Sequence, residues 1–161
     1  MNLAAEAPLW LALVFTLLLL VAAVEDAIRL RMSNVTVLLV IAAAIVAAII
    51  AGIRFDLWQN LAVFLSLLVV GTPMFAAGKL GGADVKLLAA TGLWFSLKGA
   101  VTMIAAVLLA GGALAIILLV ARMIGWSEAT RQRVVILRRK AGIPYGVAIA
   151  VGGSIAVALI R

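Results

Sequence analysis

The 161-residue chain is 68% hydrophobic and carries a formal net charge of +7, with neither cysteine nor histidine. Its mean hydropathy of +1.35 is too high for a water-compatible surface, so the composition indicates an integral membrane protein. The missing residue types exclude disulfides, thiol nucleophiles, Ser-His catalysis and the usual zinc sites, which leaves carboxylates for any chemistry.

Six runs without charged residues follow one another along the chain. Five are long enough to cross a bilayer as helices, which takes roughly 20 residues, whereas the fourth has only 11 and spans only if its polar ends are recruited. We predict an all-α membrane protein with about six transmembrane helices, the fourth one short, forming a single polytopic domain over residues 1–161 without a cleaved signal peptide. The runs are Ala7 to Val24, Met32 to Ile53, Leu57 to Gly78, Leu87 to Leu97, Gly99 to Ala121 and Ala141 to Ile160.

The distribution of Lys and Arg predicts the orientation. With the N-terminus outside, only Arg54, Lys98 and Arg161 of the 13 basic residues lie outside, as the positive-inside rule favours. The basic residues occur in short loops, which favours anionic lipids rather than nucleic acid as their partner. The segment 121–141 is the longest polar stretch, and we predict a cytoplasmic loop there that lies on lipid headgroups as an interfacial helix.

Six acidic residues are available for chemistry, and three of them fall at cytoplasmic helix ends. These three are Glu25, Asp26 and Asp84. Asp26 closes the first predicted helix and Asp84 opens the fourth, so their carboxylates lie at similar membrane depth. If the two helices pack as neighbours, the two aspartates can face each other.

Each aspartate also has a structural interpretation. Asp84 can cap a helix N-terminus, where the backbone N–H groups and the helix dipole favour a carboxylate. Asp26 at a helix C-terminus opposes the dipole and can be held by Arg29 at i+3 as a surface pair. The stretch "GKLGGAD" predicts irregular backbone at membrane depth, which is tolerated where it lines a water-filled cavity, and Gly81 and Gly82 would supply positive φ and close approach there.

Three stretches resemble the type IV prepilin leader peptidases, a family of membrane aspartyl proteases. "GGADVKLLAA", residues 81–90, resembles the family's glycine-aspartate motif. "EDAIRLRMSN", residues 25–34, resembles the segment around its first aspartate, and "GIPYGVAIAVGG", residues 142–153, resembles its last helix. The resemblance therefore covers nearly the whole chain.

Two positions depart from the family pattern. Ala83 stands where the strict Gly-x-Gly-Asp motif has its second glycine, and Met32-Ser33 replaces Ile-Pro before Asn34. The first departure is expected to restrict φ before the aspartate, and the second removes a rigid proline from a turn. Neither changes a carboxylate.

The resemblance implies an endopeptidase of the bacterial cytoplasmic membrane that removes the basic leader from a prepilin. Its catalytic residues would be Asp26 and Asp84 at the cytoplasmic side, sharing one proton and activating a water, with no metal and no cofactor. The supporting residues would be Gly81, Gly82, Lys86, Asn34 and Arg29. Lys86 can equally be an inside-positive anchor.

The chain lacks the paired cysteines that larger prepilin peptidases carry in an N-terminal segment and that are linked with N-methylation. It therefore resembles the compact form associated with Flp-type, tight-adherence pili, and the resemblance does not extend to methyl transfer. Two other function classes stay open at this point. One is a small transporter or channel subunit that binds a cation or relays protons through Asp26 and Asp84, and the other is a scaffold of a membrane machine.

Overall fold

The computed structural model describes residues 1–124, 126, 130, 134–137 and 142–161, and this part of the chain forms helices and no β-strand. The helices are α1 (Leu3–Glu6), α2 (Leu9–Arg29), α3 (Asn34–Ala51), α4 (Leu57–Ala76), α5 (Gly82–Gly92), α6 (Leu97–Met123) and α7 (Tyr145–Ile160), with a 3₁₀ turn at Val135–Leu137. Each of the six predicted apolar runs corresponds to one of the helices α2 to α7.

Among the described residues, four helices are long and apolar enough to cross a bilayer, namely α2, α3, α4 and α6. Many of their large apolar side chains are exposed, as expected of surfaces that face lipid rather than water. The protein is therefore an all-α, multi-pass membrane protein. The prediction of six crossings is not established, because α5 has 11 residues and α7 has 16.

Helix α5 differs in its bounds from the predicted fourth segment. It begins at Gly82, five residues before the apolar run that starts at Leu87 and two residues before Asp84, which was predicted to open the helix. It ends at Gly92, and Trp94 and Phe95 then turn inward and are fully buried. Ser96 caps α6 by accepting a hydrogen bond from the backbone N–H of Gly99 at 3.3 Å. At 1.5 Å per residue α5 is about 16 Å long, roughly half of a bilayer's hydrocarbon core.

The core brings α2 and α5 together through α7. Helix α7 packs against α2, α6 and α5, and α5 also packs against α3 and α4. Phe15 of α2 stacks on Trp94 after α5, with ring centroids 4.2 Å apart, and the Trp94 indole donates to the backbone carbonyl of Val40 at 3.3 Å. These contacts join the N-terminal half of α2 to the C-terminal end of α5.

The basic segment 121–141 is described only in part. Arg122 at the end of α6 donates from Nε to the carbonyl of Ile136 and from Nη2 to the carbonyl of Gly142, both at 2.9 Å. The predicted interfacial helix otherwise falls outside the described residues, as does Glu128.

Candidate active site

Asp26 lies in the last turn of α2 and is buried, with 5% of its surface exposed. Its Oδ2 accepts a hydrogen bond of 2.7 Å from the backbone N–H of Gly146, in the first turn of α7. Arg29 is exposed and forms no ion pair with Asp26, so the surface-pair interpretation is wrong. A helix N-terminus from the far end of the chain holds this carboxylate instead, as the helix dipole favours.

Gly146 is at this position because a side chain would not fit. A Cβ there would lie 2.9 Å from Oδ2 and 3.0 Å from Cβ of Asp26, and 2.7 Å from Sδ of Met32. These distances are shorter than van der Waals contact. The absence of a side chain therefore lets the backbone of α7 reach the Asp26 carboxylate.

Asp84 lies in the first turn of α5, with 9% of its surface exposed. Its Oδ2 accepts a hydrogen bond of 3.1 Å from the backbone N–H of Gly81, the residue that precedes the helix. A Cβ on Gly81 would lie 2.7 Å from the same oxygen. Asp84 is therefore not the N-cap residue, which is Gly81, but it does accept the N–H of that residue from within the first turn. This contact uses only one oxygen of a buried carboxylate.

The glycines before Asp84 act differently from the prediction. Gly81 has φ −72°, and the positive φ in this connection belongs to Gly78, at 69°. The irregular backbone ends at Gly81, so Asp84 and Ala83 are already helical. Alanine suits a right-handed helix, and Ala83 therefore imposes no strain on the aspartate.

Asp26 and Asp84 line one cavity of about 300 Å³. Within the described residues, each has Oδ2 bound to a backbone N–H and Oδ1 without a hydrogen bond. The other lining residues are Leu30, Arg31, Met32, Gly81, Gly82 and Ala83. The cavity thus holds two buried carboxyl groups, each with one oxygen available to a water or a substrate.

The remaining predicted supporting residues lie around this cavity. A Cβ on Gly82 would approach the Phe75 ring of α4 to 3.2 Å, so this glycine permits close packing of α5 on α4. Lys86 is exposed, and its Nζ donates to Oδ1 of Asn34 at 3.2 Å. Residues two apart on a helix do not face each other. The structure accordingly directs Lys86 to α3 and does not bring it to Asp84.

The turn between α2 and α3 is held by a carboxylate that the sequence left without a role. Oε2 of Glu25 accepts hydrogen bonds of 3.0 Å from the backbone N–H of Ser33 and from the hydroxyl of Thr36. Ser33 caps α3 through its side chain, which accepts from the N–H of Val35 at 3.1 Å. A proline at position 33 would have no N–H to donate. The N–H of Ser33 therefore restrains the turn through its hydrogen bond to Glu25, whereas a proline would restrain it through its rigid ring.

Two contributors to the site were missed in the sequence, namely Gly146 and Leu30. Leu30 ends α2 with φ 51°, in the left-handed region that non-glycine residues rarely adopt, and it lines the cavity next to Arg31. The stretch containing Gly146 was recognised as a helix of the family, but no local signal shows which carboxylate its N-terminus reaches. Among the described residues no group of three or more acidic side chains could hold a metal ion.

A second, larger cavity of about 630 Å³ also has Asp84 in its wall. It lies between α4, α5, α6 and α7, and its lining is apolar apart from Asp84, Lys79 and Tyr145. The catalytic candidate Asp84 therefore separates a small cavity containing both carboxylates from a long apolar one.

A family model, the type IV leader peptidase family, matches residues 13–120. The match includes both Asp26 and Asp84, whereas α7 with Gly146 lies beyond it. No curated protein and no solved structure matched the chain. Since the matched region covers well over half of the sequence, the chain belongs to the type IV leader peptidase family.

Proposed function

We propose that this leader peptidase is an aspartic endopeptidase that removes the basic leader of an Flp-type prepilin at the cytoplasmic face of the bacterial inner membrane. The observation that carries the proposal is the convergence of Asp26 and Asp84 on one cavity. They come from helices that are separated by two further helices along the chain. Neither carboxylate forms an ion pair with a described residue. Burying two carboxylates is costly for folding, and an active site is the usual reason for retaining them.

The pair can hydrolyse a peptide bond without any other group. Two adjacent carboxyls share a proton, because both cannot be ionised cheaply. The ionised one takes a proton from a water through its unbound Oδ1, and the water oxygen attacks the scissile carbonyl carbon. The protonated one donates to the carbonyl oxygen. When the C–N bond breaks, a proton passes to the leaving nitrogen, which gives a new amino terminus on the pilin and a carboxyl group on the leader.

The backbone N–H groups of Gly146 and Gly81 position this pair. Each donates to Oδ2 and restrains the rotation of the carboxyl, which leaves Oδ1 without a hydrogen bond to a described residue and available to a water. The donors belong to main chain at helix starts and therefore need no reorganisation during the reaction. The two aspartates are symmetric in this respect, and we assign acid and base to the pair rather than to one residue each.

The proposed orientation follows from charge. The cavity lies at the C-terminal end of α2 and the N-terminal end of α5, on the same side as Arg31 and Lys86. The positive-inside rule assigns this side to the cytoplasm. A prepilin has its basic leader in the cytoplasm and its apolar helix in the bilayer, so its scissile bond would lie at the depth of Asp26 and Asp84. Anionic lipids are the proposed partners of the surrounding basic residues.

Processing of a co-expressed Flp-type prepilin tests the proposal. Wild-type protein is expected to shorten the pilin, whereas Asp26→Asn and Asp84→Asn are each expected to slow cleavage by at least about 100-fold, since each removes an acid-base group. Asp56→Asn, which changes an exposed carboxylate away from the cavity, is the matched control. Cleavage that survives either active-site change, at equal membrane levels, would refute the dyad and favour a transport or scaffold role.

A further inference from the structure

The larger cavity has a polar end and an apolar body. Its polar end is formed by Asp84, Lys79 and Tyr145, and its body by apolar residues of all four surrounding helices, among them Leu88 and Ile149. At about 630 Å³ it is roughly twice the volume of the cavity that holds both carboxylates. A ligand that fills it would present a polar portion to Asp84 and an apolar portion to the rest.

A glycine in the wall of this cavity has no explanation within the protein's own packing. A Cβ on Gly112, inside α6, would have no atom of the described residues within 4 Å. Gly152 of α7 is the contrasting case, because a Cβ there would clash with the backbone of Val107. Glycine is unfavourable in a helix interior, and in membrane proteins it allows the backbone of another helix to approach closely. Gly112 therefore fits the close approach of a helix that belongs to another protein chain.

We propose that this cavity, the α6 groove, binds the apolar helix that follows the scissile bond of the prepilin. The inference rests on the proposed function, since it assigns a binding site to the apolar helix of the same prepilin substrate. The groove extends along α6 from Val107 to Ala115, about 12 Å at helical rise, which is enough for two turns of a docked helix. The polar end at Asp84 places the first residue of that helix at the catalytic pair.

The occupant is a peptide helix rather than a lipid chain because of what the groove adjoins. A lipid would satisfy the apolar body alone, whereas a prepilin helix fills the body and delivers its scissile bond to Asp84 in the same step. Binding energy from the helix would thereby hold the reacting carbonyl in place, which is how remote contacts of a substrate contribute to rate.

Filling the groove is the direct test. Gly112→Leu puts a bulky side chain into the groove at a position with open space, and it replaces glycine with a good helix former, so that the variant is expected to fold. Ala113→Leu is the matched control, because Ala113 is the next residue of α6, is exposed and does not line the groove. We expect kcat/KM for an Flp-type prepilin to fall by at least about tenfold in Gly112→Leu and to stay near wild type in Ala113→Leu.

A crosslinking measurement separates the possible occupants. A photoreactive residue at position 112 in the Asp26→Asn protein is expected to crosslink to prepilin, and one at position 113 is not. Equal kcat/KM in the two leucine variants, or crosslinks from position 112 to lipid alone, would overturn the groove assignment while leaving the peptidase proposal intact. Failure of the wild-type protein to cleave prepilin at all would instead refute the proposed function, and the groove assignment with it.

Discussion

Gly146→Ala is the change with the sharpest expected effect on the site. The added Cβ would lie 2.9 Å from Oδ2 and 3.0 Å from Cβ of Asp26, and 2.7 Å from Sδ of Met32. The methionine is flexible and can move away. The Asp26 carboxylate cannot keep its 2.7 Å hydrogen bond to the N–H of residue 146 and also avoid the new methyl group. We therefore expect the carboxylate to shift and the hydrogen bond to lengthen or break.

The magnitude follows from that hydrogen bond. A hydrogen bond to a charged group contributes about 1.5–3 kcal/mol, and Asp26 is buried, so little of this is lost to solvent screening. If the bond holds the carboxylate in its reactive position, this energy corresponds to roughly a 10- to 100-fold fall in kcat, with KM little changed. The fold itself should tolerate the change, since alanine favours a helix over glycine by about 1 kcal/mol, which offsets part of the steric cost.

Prepilin cleavage by purified protein in detergent, with kcat and KM determined separately, checks this expectation. Gly142→Ala is the matched control, because a Cβ at Gly142 would have no atom of the described part of the chain within 4 Å. Met32→Ala combined with Gly146→Ala separates the two contacts. Wild-type kcat in Gly146→Ala, or full recovery in the double variant, would show that displacement of the Asp26 carboxylate is not what limits the reaction.

Three further changes test the rest of the site. Gly81→Ala, whose Cβ would lie 2.7 Å from Oδ2 of Asp84, should lower kcat of prepilin cleavage by about tenfold or more, and unchanged kcat would contradict the role of this N–H. Ala83→Gly should leave kcat unchanged and lower the free energy of unfolding by up to about 1 kcal/mol, because Ala83 is helical. A gain in activity would mean that alanine strains the site. Glu25→Ala should destabilise the protein by about 1–3 kcal/mol through loss of two hydrogen bonds, seen as a lower Tm, and an unchanged Tm would argue against this anchor of the turn.

Some features of the site were predictable because they depend on neighbours in sequence. The glycine-aspartate motif and the segment around Asp26 identified the family, and the family match over residues 13–120 confirms that assignment. Apolar runs predicted the helices α2 to α7, since a backbone in lipid must satisfy its hydrogen bonds within a helix. The catalytic role of Asp26 and Asp84 stays a prediction until the variants are assayed.

Other features could not be derived from local sequence. The start of α5 was predicted at Asp84, two residues after its position in the structure, because hydropathy shows where the charges stop and not which residue caps the helix. Lys86 was considered beside Asp84 because the two are close in sequence, whereas the helix turns them to different sides and Lys86 reaches Asn34.

By itself the sequence determined the class of protein and the order of its helices, and it led us to predict Asp26 and Asp84 as the carboxylates that carry the chemistry. These follow from composition and short motifs, whose physical consequences are local. Only the tertiary structure decided that Asp26 and Asp84 share a cavity, that the N-terminus of α7 holds Asp26, and that an apolar groove with Gly112 in its wall adjoins Asp84. These contacts join residues far apart in the chain, and they depend on how side chains and glycine gaps of several helices fit together when they pack.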